Sequence, residues 1–348
     1  MPISQADLEE ATKVSLDDYL RNAPVDQIGT QHPLLRRLLR KRKAFHGARQ
    51  HITENVRKSY GSNFQFNYGE TPITFNKRHT TEQVMFPWRR ATDSLYLDHD
   101  RLFTNGIDVR EGERGQWRLE QNEKVQLVNL LTEQQESLRL GFMENLDLAL
   151  HRDGTYDADA VTGLDALVST TPWTGIVGGI DAGANAYWQN FANTGISTAT
   201  KGNVSQAMNE AWRHCIRNGG APDFILAGTA FCDAYAADIT FTQNVEAGQS
   251  KTVDLGIGTG GKTGLFFKGV EIVWDPVFEV LDALESPAVP WEKRAYLLNT
   301  RHLSYRDNDM NIVKPTRPHD VLALYLMVVL RLALTTNRRN AHAVLAIQ

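Results

Sequence analysis

The residues with the most evident chemical potential are Gly256-Ile257-Gly258-Thr259-Gly260-Gly261-Lys262-Thr263, whose spacing matches a phosphate-binding P-loop. That chemistry needs a buried strand before the loop and a helix immediately after it, because the amides of the helix N-terminus receive the phosphate. Here the chain continues as Gly264-Leu265-Phe266-Phe267-Lys268-Gly269-Val270-Glu271-Ile272-Val273-Trp274, which is Gly-interrupted and strand-like. Asp275 follows as a magnesium-binding carboxylate would, but too soon for a helical crossover. A Gly-rich loop between strands is therefore expected, with a P-loop nucleotide hydrolase as the alternative. His79, His99, His151, His214, His302, His319 and His342 are scattered, and two cysteines cannot build a cysteine-rich zinc site. Asp98-His99-Asp100 joins acid to imidazole without a nucleophile or pocket. No catalytic, cofactor-binding or metal-binding residue is expected.

Charge is the second candidate chemistry. The 348-residue chain carries a formal charge of only -4, so whole-chain basicity does not mark a nucleic-acid binder. Locally, Arg36, Arg37, Arg40, Lys41, Arg42, Lys43, Arg49, Arg57 and Lys58 face a single acid, Glu54, between residues 31 and 60. Leu34, Leu35, Leu38 and Leu39 interleave with the first of these, which predicts a basic amphipathic helix able to meet DNA, a membrane surface or an acidic partner. A DNA-binding module is thus a second alternative. Asp7, Glu9, Glu10, Asp17 and Asp18 precede the cluster and offer it partners within the chain or across copies.

The elements that must position these groups read as α+β. From Gly61, Phe64, Phe66 and Tyr68 alternate with Gln65 and Asn67; Gly69-Glu70-Thr71-Pro72 has turn chemistry, and Ile73 and Phe75 resume the alternation. This predicts a long hairpin over residues 61–92 with too few aliphatic anchors to be stable alone. Residues 118–152 lack Pro and contain one Gly, Gly141; Val128, Leu131, Leu138, Phe142, Leu146 and Ala149 form one helical stripe. Such a helix spans on the order of 45 Å. Further on, helices are expected near residues 204–217 and 229–239, with strands at 224–227, 268–274, 295–298 and 312–313. Cys215 and Cys232 read as reduced, buried thiols. Residues 321–330 form an apolar run too short to span a bilayer, and with residues 343–347 they suggest two core strands joined by the polar turn Asn337-Arg338-Arg339-Asn340. The N-terminus has no targeting pattern, so synthesis in the cytoplasm is expected.

After the long helix come Gly163-Leu164-Asp165-Ala166-Leu167-Val168, Gly175-Ile176-Val177-Gly178-Gly179-Ile180-Asp181 and Tyr187-Trp188-Gln189-Asn190. This segment resembles the tailed-phage major capsid proteins of the Hong Kong 97 (HK97) type. In that family a spine helix is followed by a Gly-Leu stretch, a Gly-Gly-Ile-Asp-like turn and a Trp-x-Asn element, here Gly163, Leu164, Gly178, Gly179, Ile180, Asp181, Trp188 and Asn190. By order of elements, the resemblance extends over nearly the whole chain.

The resemblance implies an HK97-like capsid fold: an N-terminal arm (1–60), an extended loop (61–92), a peripheral domain with the spine helix (93–164), an axial domain (165–320) and C-terminal strands returning to the peripheral domain (321–348). It implies a major capsid protein, made in the host bacterial cytoplasm, that assembles into hexamers and pentamers of an icosahedral virion shell around double-stranded DNA. Scaffolding protein, portal protein and a decoration protein are the implied partners; no cofactor and no membrane are. Phe64, Phe66, Tyr68, Ile73 and Phe75 become the intersubunit hairpin, and Arg36 to Lys43 a basic arm near the inner face. Some family members join a loop lysine to a neighbour's asparagine with help from a glutamate. Lys77 lies in the matching region, but no asparagine or glutamate matches by motif, so no crosslink is expected.

Overall fold

The computed structural model describes residues 31–44, 50–98, 110–111, 117–118, 121–246, 262–313 and 323–348. The described residues begin with helix α1 (Pro33–Arg40), the two-residue strand β1 (Lys43–Ala44), and strands β2 (His51–Arg57), β3 (Thr81–Pro87) and β4 (Arg89–Asp98). The short pair β5 (Arg110–Glu111) and β6 (Trp117–Arg118) precedes α2 (Gln121–His151), a helix of 31 residues. Helix α3 (Leu164–Leu167), strands β7 (Ile176–Val177), β8 (Ile180–Asp181) and β9 (Phe191–Ile196), and helix α4 (Asn203–Asn218) follow. Then come β10 (Phe224–Ala227), α5 (Thr229–Glu246), β11 (Lys262–Phe267), β12 (Val270–Trp274) and α6 (Val277–Glu285). Strands β13 (Arg294–Leu298), β14 (Leu303–Asp307), β15 (Asn311–Val313), β16 (Ala323–Thr336) and β17 (Ala343–Ile347) complete the chain.

Two compact units emerge. One comprises the described residues within 91–145 and 310–330, the other those within 31–90, 146–309 and 331–348. In the first, β15 runs antiparallel to the start of β16, with Ile312 opposite Val328. On α2 the Arg139 guanidinium binds Glu136 three residues earlier, at 2.6 Å, a solvated pair of small energetic weight.

The second unit is built on a six-stranded sheet of order β11-β12-β10-β13-β17-β9, parallel where β10 meets β12 and where β17 meets β9, antiparallel elsewhere. Its central strands β10, β13 and β17 are buried throughout, which is why they read as continuous apolar runs rather than alternating ones. Val204, Ala207, Met208, Ala211, Trp212 and Cys215 form the buried stripe of α4, and they share one core with Phe231 and Tyr235 of α5 and with Ile225, Leu297 and Leu345 of the sheet. Cys215 and Cys232 are free and buried, and burial pushes both thiols up to about 12. In the same unit β14 pairs with the end of β16 and, in parallel, with β1.

The structure corrects two expectations. The final strands do not form one returning pair: β17 lies between β13 and β9, inside the sheet expected from residues 165–320, whereas β14 and β15 from that range pair with β16. A boundary at 320 therefore cuts through both sheets. In the expected hairpin, the paired strands are β2 and β3, from His51 opposite Pro87 to Arg57 opposite Thr81. Residues 58–80 between them have no ladder, because aromatic residues lacking a second layer gain nothing from pairing. Thr229 begins α5, and its hydroxyl bonds Glu279 and accepts the Trp274 indole N–H at 2.9 Å.

Candidate functional site

Residues 58–80 leave the β2–β3 ribbon as a loop closed at its base by the Lys58 N–H, which donates to the Thr80 carbonyl at 2.9 Å. Phe66 is 90% exposed, Tyr68 95% and Phe75 90%, and Tyr60, Phe64 and Ile73 are likewise exposed. Little holds the loop internally. Phe64 and Phe66 meet edge-to-face at 5.0 Å, the Asn63 amide donates to the Thr74 carbonyl, and Thr71 Oγ donates to the Tyr68 carbonyl at 2.7 Å. The loop thus presents six large apolar or aromatic side chains to solvent.

The segment 163–190 behaves in the opposite way, closing on itself around a buried arginine. Leu164, Leu167 and Val168 are fully buried on and beside α3, and Gly163 fits because a Cβ there would lie 2.2 Å from the Arg152 carbonyl oxygen. Gly178 and Gly179 turn the β7–β8 hairpin with positive φ. Gly178 also presses on β3: its carbonyl accepts the Met85 N–H at 2.9 Å, and a Cβ would lie 2.1 Å from Val84 Cγ1. Ile180 is buried, while Asp181 accepts the Gly183 N–H at 2.8 Å. Trp188 is fully buried and donates its indole N–H to the Val177 carbonyl at 3.0 Å. Asn190 bridges Ser169 by accepting its N–H and donating to its carbonyl.

Arg339 organises the centre of this knot. Its guanidinium donates to the carbonyls of Leu167 at 2.8 Å, Trp188 at 3.0 Å and Ala166 at 3.4 Å, and to Asn190 Oδ1 at 3.3 Å. Burial lowers its pKa to about 10, so it remains charged at neutral pH. The expected polar turn 337–340 is thus polar for a different reason. It delivers a fork of donors into the core, where a planar guanidinium satisfies several carbonyls at once. An arginine wedged between two buried strands by a turn of few residues was the available signal.

The basic helix is largely neutralised within the chain. Leu34, Leu35 and Leu38 are buried; the Arg37 guanidinium and the Lys41 ammonium bind Asp223 at 3.0 and 3.1 Å, and Lys41 also reaches Thr300. Arg42 binds Asp309 and lies 3.7 Å from Asp307, and Lys43 donates to Ser304 at 3.0 Å. Burial pushes the Asp223 carboxyl up, but bonds from the Thr300 hydroxyl and N–H and from Lys41 outweigh it and leave the pKa below the ordinary value. Arg36 and Arg40 face solvent. Arg49 and the acids at positions 7 to 18 lie outside the described residues.

No family model and no curated protein matches the sequence. Solved structures do match, end to end. The cyanophage A-1(L) capsid asymmetric unit superposes with a TM-score of 0.62 at 13% identity, over 93% of this chain and 96% of that one. The capsid of Myoviridae phage XM1 gives 0.59 at 13% identity over 100% and 99%. The capsid of the native GTA particle gives 0.51 at 10% identity over 96% and 98%. The fold is the HK97-like capsid fold.

Within this HK97-like fold the P-loop spacing leads nowhere. Residues 256–261 lie outside the described residues, and Lys262 and Thr263 begin β11, so the helix that would receive a phosphate is replaced by a strand. His99 and Asp100 also lie outside them. Among the described residues there is no group of three or more His, Cys, Asp or Glu able to hold a metal ion, and no helix long and apolar enough to cross a membrane.

One polar cluster escaped the sequence reading. Asp147 and His151, on adjacent turns of α2, are both fully buried, as is Asp275 after β12. His151 Nδ1 donates to the Asp147 carbonyl oxygen at 2.8 Å, and its Nε2 faces Asp275 Oδ2 at 3.0 Å. Burial lowers the His151 pKa, but the Asp147 and Asp275 carboxylates outweigh it and hold it at about 9. Burial also pushes Asp275 up while His151 pulls it down. We assign the ion pair, because Asp275 Oδ1 accepts the Val277 N–H at 3.0 Å and Oδ2 is left to accept from the imidazolium. The resemblance of Asp275 to a metal-binding carboxylate is thereby explained: it caps α6 and neutralises a histidine. Asp147 and His151 stand four residues apart and so share one face of α2, but neither belongs to the apolar stripe read from the sequence.

Proposed function

We propose that this chain is the major capsid protein of a tailed bacteriophage, many copies of which close into an icosahedral shell around double-stranded DNA. The observation that carries this reading is the HK97-like fold, shared over 93% to 100% of the chain with capsid structures. The exposed aromatic loop supports it, since a closed shell supplies the neighbour that a lone subunit lacks.

In this reading α2 is the spine helix, the six-stranded sheet with α4 and α5 is the core of the axial domain around five-fold and six-fold axes, and residues 58–80 are the intersubunit loop. The partners are other copies in hexamers and pentamers, a scaffolding protein, a portal protein and a decoration protein. DNA is contacted without sequence specificity; of the basic residues 36–43, Arg36 and Arg40 face solvent and are left for it, while Arg37, Lys41 and Arg42 pair with Asp223, Asp307 and Asp309. The role is structural, with no catalytic step.

Electron microscopy of purified protein, with scaffold supplied, tests the proposal. Closed shells or capsomers are expected. Persistently monomeric protein under those conditions would sink it.

A further inference from the structure

Arg36, Arg40, Arg217, Arg301 and Arg338 are exposed and have no ion pair among the described residues. All lie in the unit built on the six-stranded sheet, and contacts between their neighbours set them along one line. Arg36 and Arg40 are about one turn apart on α1. Lys41, next to Arg40, reaches the Thr300 hydroxyl, and Arg301 follows in the turn between β13 and β14. His302 of that turn lies 2.9 Å from the Asn337 side chain and 3.2 Å from the Gly219 carbonyl oxygen. Arg338 comes directly after Asn337, and a Cβ on Gly219 would stand 2.9 Å from its Cδ. Arg217 completes the line, two residues before Gly219 at the end of α4.

We propose that this line is a binding track for the phosphate backbone of double-stranded DNA. The inference rests on the shell reading above, which supplies the polyanion.

Several features favour phosphate over plain solvation. Every member is an arginine, whose planar fork binds phosphate oxygens in pairs. The chain has a formal charge of -4, so a run of unpaired positive groups opposes its overall balance and is a local concentration of field. Asp223, the carboxylate amid the line, is already matched by Arg37 and Lys41, and that trio keeps one net positive charge. Asp307 and Asp309 at its edge are met by Arg42. Arg40 and Arg217 also suit the negative ends of α1 and α4, which accounts for those two alone. Arg36, Arg301 and Arg338 have no such use. Contacts confined to phosphate carry no base readout, so binding is independent of sequence.

Fluorescence anisotropy of a mixed-sequence DNA duplex, titrated with the purified full-length chain between about 50 and 200 mM salt, reads the track. If each guanidinium neutralises one phosphate, log K should fall against log salt with a slope of about -4.5. Arg36→Gln with Arg40→Gln, and separately Arg301→Gln with Arg338→Gln, should each make the slope shallower by about 2. Arg57→Gln with Arg90→Gln removes the same charge from exposed positions outside the line and should leave the slope unchanged. No DNA binding by the parent chain, a loss in only one of the two pairs, or an equal loss in the control pair would overturn the proposal. Tighter binding of poly-glutamate than of DNA would overturn it in favour of an acidic protein partner. Electron microscopy of the same preparations keeps this test apart from the shell reading. Shells from a chain that ignores DNA overturn the track alone, and a persistently monomeric chain that binds DNA along the line overturns the shell alone.

Discussion

The loop of residues 58–80 and the knot around Arg339 are inverted with respect to solvent. In the loop, aromatic rings that elsewhere form cores stand almost wholly in water. In the knot, a guanidinium that elsewhere stands in water is fully buried against three carbonyls and an amide. The knot is complete within one chain, since its donors and acceptors are matched. The loop is not, because the apolar area it exposes would be stabilised by roughly 25 cal/mol per Å² on being covered. Substitutions in the knot should therefore act on folding, whereas those in the loop should leave folding nearly unchanged.

The largest effect on stability is expected at the knot. Arg339→Met should destabilise the subunit by about 3 kcal/mol or more, because several buried carbonyls lose their donors together. Chemical denaturation of the purified chain measures this, and a loss below about 1 kcal/mol would mean that water replaces the guanidinium.

Next is Gly178→Ala, which adds a methyl into Val84 at a left-handed backbone position and should cost about 2 kcal/mol. Gly179→Ala has the same sign of φ but open space around it, so its cost should be nearer 1 kcal/mol. Equal losses at the two positions would show that the approach to β3 contributes nothing.

A graded loss of similar or smaller size is expected with pH. The His151 pKa is raised in the folded chain to about 9 from an ordinary value near 6.5. Its stabilisation is therefore fully present below about pH 6.5 and is lost as pH rises through about 9. A denaturation midpoint that falls across this window in the parent chain, and falls less in His151→Gln, is the expected record.

The smallest effect on stability should come from the loop. Phe66→Ser with Phe75→Ser should change subunit stability by less than about 0.5 kcal/mol, as for exposed sites generally, while electron microscopy records loss of shells. Removing residues 64–80 should act in the same direction. Normal shells from either variant would remove the loop from the intersubunit contact, and global unfolding would place it in a core.

Much of this architecture was legible in one dimension. The stripe of α4, the buried run of β10 and the Pro-free length of α2 follow from local periodicity, which one segment carries by itself. The same holds for rejecting the P-loop, since the residues after Lys262 lack helical character. The order of the Gly-Leu, Gly-Gly-Ile-Asp and Trp-x-Asn segments was enough to suggest the HK97-like fold that the capsid structures share.

What only the tertiary structure decided concerns partners distant in sequence. No local pattern tells that Arg339 meets Leu167, that Asp275 meets His151, or that Asp223 collects Arg37 and Lys41. Nor does one reveal that β17 enters between β13 and β9 while β16 pairs elsewhere, because both are apolar runs and strand neighbours depend on the closure of long loops. A charged residue reads as solvated until its counter-charge is located, and locating it requires three dimensions. The sequence by itself determined which segments would be helix or strand and which surfaces were apolar; the fold decided which charges were spent inside the chain and which apolar side chains stayed exposed.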